Sequence, residues 1–169
     1  MCGPGGGLSS HGRLNPEGRT RAILAIARFK QLAKSMGIKE VTAVATAAVR
    51  TASDGRDFCQ EVMEKTGQFI AVISGEEEAK LSAQGVLTGW PGAYGLVCDL
   101  GGTSLELAEI SNGKVGACAS AELGPLKLMD IDTKKERLEY ISSQLSHLAK
   151  SFFPQNNRLF LVGGSWRAL

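Results

Sequence analysis

Asp99-Leu100-Gly101-Gly102-Thr103-Ser104-Leu105-Glu106 is the stretch on which the reading of this chain turns. An apolar run, Gly95 to Cys98, leads into the first carboxylate, and a second run, Leu105 to Ile110, leaves the turn. Two strands joined through a glycine turn fit this pattern. Glycines there let backbone N–H groups converge on an anion, because no Cβ blocks the approach. Thr103 and Ser104 add hydroxyl donors. Asp99 at one strand end and Glu106 on the returning strand reach the same mouth, an all-oxygen arrangement that suits Mg²⁺ when the ion also contacts phosphate. The same residues fit equally a plain hairpin whose glycines serve geometry and whose two acids are solvated.

Downstream, Asn112-Gly113 is a hairpin signal leading to a third strand over Val115 to Ala121. Thr133 and Glu136 have capping-box spacing, and Leu138, Ile141, Leu145, Leu148 and Phe152 form a helical stripe reaching to about Ser151. Pro154 closes that segment and Leu159 to Val162 reads as a last strand. Gly163-Gly164-Ser165 after it is a weak phosphate-loop candidate. Upstream, Phe69 to Ile73 is an apolar strand, and Ser74 with Glu77 has capping-box spacing at the start of a helix. Glu76 and Glu77 suit the positive end of that helix. Glu78 lies one turn beyond Ser74, where a carboxylate either complements the helix as its neighbours do or deprotonates a water attacking phosphorus.

Further upstream, Val41 to Ala45 reads as a strand, followed by Thr46-Ala47-Ala48-Val49-Arg50. Arg50 is suited to a bidentate clamp on phosphate oxygens, or to snorkelling over apolar neighbours. A helix over Arg56 to Thr66 buries Phe58 and Val62 before Gly67. The earliest helix runs from the Asn15-Pro16-Glu17 start to Gly37, with Ala22, Ile26, Phe29, Ala33 and Met36 as its expected inner stripe. Strands and helices alternate as in α/β folds. Gly89-Trp90-Pro91-Gly92-Ala93 breaks the pattern and marks the expected boundary between two units, 1–90 and 91–169.

The chain has 169 residues, 43% hydrophobic and 21% charged, which excludes disorder. No run is long and apolar enough to span a membrane. Nineteen Lys plus Arg against 17 Asp plus Glu give a net charge of +2, no footprint for nucleic acid or an anionic membrane. Cys2, Cys59, Cys98 and Cys118 lack CxxC spacing, and only His11 and His147 could join them, so reduced thiols in a cytoplasm and no zinc are expected. Met1 to Ser10 carries no signal-peptide pattern. The Gly3 to Gly7 run reads as a frayed start, since no apolar strand precedes it.

Together, Ala45-Thr46-Ala47-Ala48-Val49-Arg50, Ile73-Ser74-Gly75-Glu76-Glu77-Glu78-Ala79, the Asp99 to Leu107 stretch and Leu161-Val162-Gly163-Gly164-Ser165-Trp166-Arg167-Ala168-Leu169 resemble, in order and spacing, the exopolyphosphatase and guanosine pentaphosphate phosphohydrolase family. Glu122-Leu123-Gly124-Pro125-Leu126-Lys127-Leu128 is similar to it as well. The resemblance implies an α/β fold of the actin-like ATPase superfamily: ribonuclease-H-like halves, each a mixed sheet flanked by helices. It implies hydrolysis of phosphate chains from the end with Mg²⁺. By position it assigns Glu78 as catalytic base, Asp99 and Glu106 as metal-binding acids, and Arg50, Gly101, Gly102, Thr103 and Ser104 to phosphate. Thr103 stands where the family usually has a third glycine, and Leu105 where threonine is common. Nothing before Leu8 matches the family's opening strand pair with its Asp-x-Gly-Ser-like loop, and the chain stops within the second half, so an incomplete fold, truncated at both ends, is expected.

Removal of terminal phosphate from inorganic polyphosphate by Mg²⁺-assisted water attack is therefore the expected activity. Guanosine pentaphosphate hydrolysis is the alternative within the same chemistry. A catalytically impaired phosphate- or alarmone-binding fragment is the alternative from another class, and a kinase of the same superfamily ranks below these because Ser74 to Ala79 follows the phosphohydrolases. An unpaired sheet edge makes a homodimer a further expectation.

Overall fold

The computed structural model describes residues 12–152 and 158–168. The Gly3 to Gly7 run, Cys2, His11 and Pro154 lie outside the described residues. Contacts divide the chain into two units, Met1–Ile73 and Ser74–Leu169.

The first unit holds α1 (Pro16–Ser35), β1 (Ala43–Ala45), α2 (Ala47–Thr51), α3 (Gly55–Thr66) and β2 (Ile70–Val72). Helix α1 starts where Asn15 predicts: its side chain accepts from the Gly18 amide at 2.8 Å, and Pro16, with no N–H to lose, opens the first turn. Strands β1 and β2 run parallel, with Ala43 opposite Ile70 and Ala45 opposite Val72. Leu14, Ile23, Ala45, Val49, Phe58, Val62 and Ile70 form the core. The expected α1 stripe is only partly inward: Ile23 and Ala33 are buried, but Phe29 is 65% and Met36 67% exposed. Helix α1 packs on α3 and is still covered one turn beyond Phe29, at Ala33, so Phe29 lies off the covered face and not past its end. Asp54, 4% exposed, ties the unit together. It accepts from the Leu14 amide at 2.9 Å and from Arg19 at 2.8 Å, while Arg19 also donates to Glu61 at 2.7 Å. The short helix α2 carries Arg50 in its last turn and has no counterpart in the sequence reading.

The second unit holds α4 (Gly75–Gly89), β3 (Gly95–Leu100), β4 (Leu105–Ser111), β5 (Lys114–Ala121), α5 (Pro125–Leu128), α6 (Lys134–Ala149), β6 (Leu159–Val162) and a 3₁₀ turn, Gly164–Ala168. The strands form one mixed sheet ordered β5-β4-β3-β6, antiparallel except for the parallel β3–β6 pair. Asn112 and Gly113 both take positive φ, as the hairpin signal requires.

Alternation along the strands sorts side chains to two faces. Val97 on β3 and Ala108 and Ile110 on β4 meet Ala79 and Ala83 of α4. Cys98, Leu105 and Leu107 point the other way, toward Leu148, Ile141 and Tyr140 of α6. Burial on both faces explains why β3 and β4 are almost continuously apolar in sequence. Burial pushes the Cys98 thiol up to about 11, with the Asp99 and Glu106 charges adding to it. The α6 stripe is incomplete: Leu148 is buried, whereas Leu138 is 56% and Leu145 45% exposed.

Because α4 lies against β3, β4 and β5, the division falls between Ile73 and Ser74 rather than at the expected Gly89 to Ala93 break. The glycine- and proline-rich stretch ends a helix; it does not separate what packs together. One irregularity bears on the site. Ile110 pairs with Val115, but Ala108 pairs with Cys118, so β5 contains one residue more than β4 across a bulge.

Candidate functional site

One rung of the second unit's sheet carries the acids. Ser120 on β5 lies opposite Glu106 on β4, Glu106 opposite Asp99 on β3, and Asp99 opposite Val162 on β6. Period-two alternation puts this row on the α4 side, one rung before the glycine turn. The Ser120 hydroxyl donates to Glu106 Oε1 at 2.9 Å.

Helix α4 supplies the next layer. Its capping box is fully formed: the Glu77 amide donates to Ser74 Oγ at 3.1 Å and the Ser74 amide to Glu77 Oε2 at 2.8 Å. That consumes Glu77 and leaves Glu78 to the following position, where it is half-buried. Ser82 lies four residues on, hence on the same helix face as Glu78. Its hydroxyl donates to Asp99 Oδ2. Glu78 and Ser82 are thus neighbours on the helix that covers the acidic row.

The turn between β3 and β4 is closed by the Gly101 amide donating to the Ser104 carbonyl at 3.0 Å. Ser104 is buried, and Gly102 accepts from the Leu126 amide at 2.8 Å. Gly124 abuts the Gly102–Thr103 backbone so closely that any Cβ would overlap it. At the other side, Gly163 takes φ +103°, and a Cβ there would lie 2.7 Å from the Leu100 carbonyl oxygen and 3.0 Å from Asp99 Oδ1. Glycine at 163 therefore permits a left-handed backbone beside the carboxylate.

Glu106 is 1% exposed, and its Oε2 has no hydrogen-bond partner. Burial raises its pKa to about 7; the Ser104 hydroxyl opposes the rise, the Glu78 charge reinforces it, Ser120 opposes it and the Asp99 charge adds to it. A buried carboxylate beside two like charges, with one oxygen lacking a donor, is an unfavourable arrangement unless a positive charge joins it. The donor set is all oxygen, and it fits a hard divalent cation such as Mg²⁺. Among the described residues, no three of His, Cys, Asp or Glu converge into a ready-made cage. Magnesium held by one or two carboxylates and by substrate phosphate needs none.

The structure thus gathers Glu78, Asp99, Glu106 and Ser104 in one unit. Glu106 is buried, not solvated as in the plain-hairpin reading. Gly101, Gly102 and Thr103 form the adjoining turn. Arg50 belongs to the first unit, where it donates to the Ile73 carbonyl at 2.8 Å. Ser82 and Ser120 escaped the sequence reading. The first was visible as the residue four beyond Glu78. The second was not, because counting back from the Asn112-Gly113 turn puts Ala119, not Ser120, opposite Glu106.

Comparison with known proteins agrees with this architecture. The model of the Ppx/GppA phosphatase family matches residues 5–150. Exopolyphosphatase 1 of Mycobacterium tuberculosis is 32% identical over 121 residues, 70% of this chain and 35% of the relative. The crystal structure of an Aquifex aeolicus Ppx/GppA family member, 26% identical, aligns over 97% of this chain and 56% of its own with a TM-score of 0.74. That of an exopolyphosphatase from Cytophaga hutchinsonii, 23% identical, aligns over 94% and 55% with a TM-score of 0.83 and shares the fold. The chain spans about a third of the length of the curated relatives it matches.

Proposed function

Since the chain belongs to the Ppx/GppA phosphatase family, we propose that it carries the acidic centre of a phosphohydrolase that removes the terminal phosphate of inorganic polyphosphate. The observation that carries this reading is Glu106: a buried carboxylate with an unpartnered oxygen, opposite Asp99 and within the field of Glu78. In this reading Asp99 and Glu106 would hold Mg²⁺, which would supply charge neutralisation of the phosphate when bound. Glu78 takes a proton from the attacking water; the new bond forms between water oxygen and terminal phosphorus as the bridging P–O bond breaks, and the departing chain leaves one phosphate shorter. The Gly101 amide is spent on the Ser104 carbonyl, which holds the turn in shape; the amides of Gly102, Thr103 and Ser104 and the glycine-lined backbone of the turn would face phosphate oxygens in this reading. Arg50 is assigned to phosphate by the family resemblance alone.

Phosphate release from polyphosphate and from guanosine pentaphosphate, each with Mg²⁺, tests the proposal on this chain and on Glu78→Gln. Faster release from polyphosphate, abolished in the variant, is expected; equal rates for parent and variant overturn the role of Glu78. Binding without turnover is the second reading, favoured by Thr103 at a glycine position. Calorimetric uptake of polyphosphate with no phosphate release would select it.

A further inference from the structure

Both acids of the site are held by serine hydroxyls that lie outside the glycine turn. Ser120, across the β4–β5 pair, donates to Glu106 Oε1 at 2.9 Å, and Ser82, on α4, donates to Asp99 Oδ2. Both serines are half-buried, one on a helix and one on a strand. A hydroxyl holds a carboxylate differently from a lysine or arginine: it donates a hydrogen bond yet leaves the full negative charge in place. Each hydroxyl also engages a single oxygen. For Glu106 the remaining oxygen, Oε2, is buried and without a donor. For Asp99 the remaining oxygen, Oδ1, is the one beside Gly163, where the missing Cβ keeps space open.

We propose that Ser82 and Ser120 are positioning residues of a divalent-cation site, each fixing one carboxylate through one oxygen so that the other stays charged and directed for the ion. This rests on the reading of Asp99 and Glu106 as cation ligands. The β5 bulge is part of the device, since without it the residue opposite Glu106 would be Ala119 and no hydroxyl would stand there. Outer-shell partners of this kind orient ligating carboxylates and typically change metal affinity by about 10- to 100-fold when removed.

The test uses Mn²⁺ as the probe, measured by calorimetry without substrate, on the parent chain, Ser120→Ala, Ser120→Thr and Ser82→Ala. Far-UV circular dichroism and thermal unfolding control for folding. The expected result is Mn²⁺ binding weakened at least about tenfold in both alanine variants, and restored in Ser120→Thr, which keeps the hydroxyl on a strand that suits a β-branched residue. Alanine variants that bind as tightly as the parent, or a threonine variant as weak as alanine, overturn the positioning role while leaving the cation site standing. A parent chain that takes up no Mn²⁺ overturns the cation reading itself, and this inference with it. Should Ser120→Ala fail to fold, Ser82→Ala decides the matter for Asp99.

Discussion

Asp99 and Glu106 stand opposite each other across β3 and β4, so two carboxylates share one rung on the α4 side of the sheet. Like charges directly opposed on a sheet are destabilising, and burial of Glu106 sharpens the cost.

That cost has a pH signature. The folded Glu106 titrates at about 7 against a reference value of 4.5, so between these values the folded chain keeps a proton that the unfolded chain has lost. Stability contributed by this group therefore falls as pH rises from 4.5 through 7, and the deficit is fully expressed above 7. Glu106→Gln, which mimics the protonated form, is expected to unfold at higher urea than the parent at pH 8, by up to about 3 kcal/mol, and to match it near pH 4. Both tryptophans, Trp90 and Trp166, lie in the second unit, so their fluorescence reads the relevant transition. Parallel stability curves for the two proteins across pH would show that Glu106 is not the group responsible.

Glu78→Gln is expected to lower phosphate release from polyphosphate by about 10²- to 10⁴-fold, the usual contribution of a positioned general base. The Ser74–Glu77 capping box is untouched by this change, so α4 should keep its helicity. Comparing turnover with the far-UV spectrum separates loss of chemistry from loss of fold.

Gly163→Ala should destabilise the second unit by at least about 2 kcal/mol, because its φ of +103° disfavours any Cβ and the Leu100 carbonyl leaves no room for one. Tryptophan-detected urea unfolding measures the shift. An unchanged midpoint would mean that the β6 turn relaxes freely.

Asp54→Ala addresses the first unit. The variant leaves Arg19 without one of its two acidic partners and the Leu14 amide without an acceptor, an expected loss of about 3 kcal/mol. Burial works against ionisation of Asp54, but the Leu14 amide and Arg19 outweigh it and hold its pKa below the ordinary value. A depressed acid stabilises above its unfolded pKa of 3.8 and loses that contribution as pH falls through the folded value. Hydrogen exchange at the Phe58 and Val62 amides should therefore accelerate in the variant at neutral pH, and parent and variant should converge in strong acid.

Local chemistry made much of this legible beforehand. Asn15, Ser74 with Glu77, Thr133 with Glu136, and Asn112-Gly113 announce their caps and turn because each is settled within four residues. The Asp99 to Glu106 stretch likewise showed its strand–turn–strand form, and the pairing of Asp99 with Glu106 follows from the short turn. What stayed hidden depends on long-range packing. Nothing in Gly89 to Ala93 says that α4 belongs with the strands after it, and the spacing of the α1 stripe does not say that Phe29 lies off the face its neighbours cover. Ser120 was concealed by a single extra residue in β5, which changes the face that every later side chain of that strand presents.

Cys98 turns the far side of the same sheet into a built-in reporter. Its thiol is buried against α6 and resists ionisation, so a thiol reagent reaches it only when that layer opens. Its labelling rate, set against that of the less buried Cys118, would time the separation of α6 from the sheet and show whether events at Asp99, the next residue along β3, are felt through the strand.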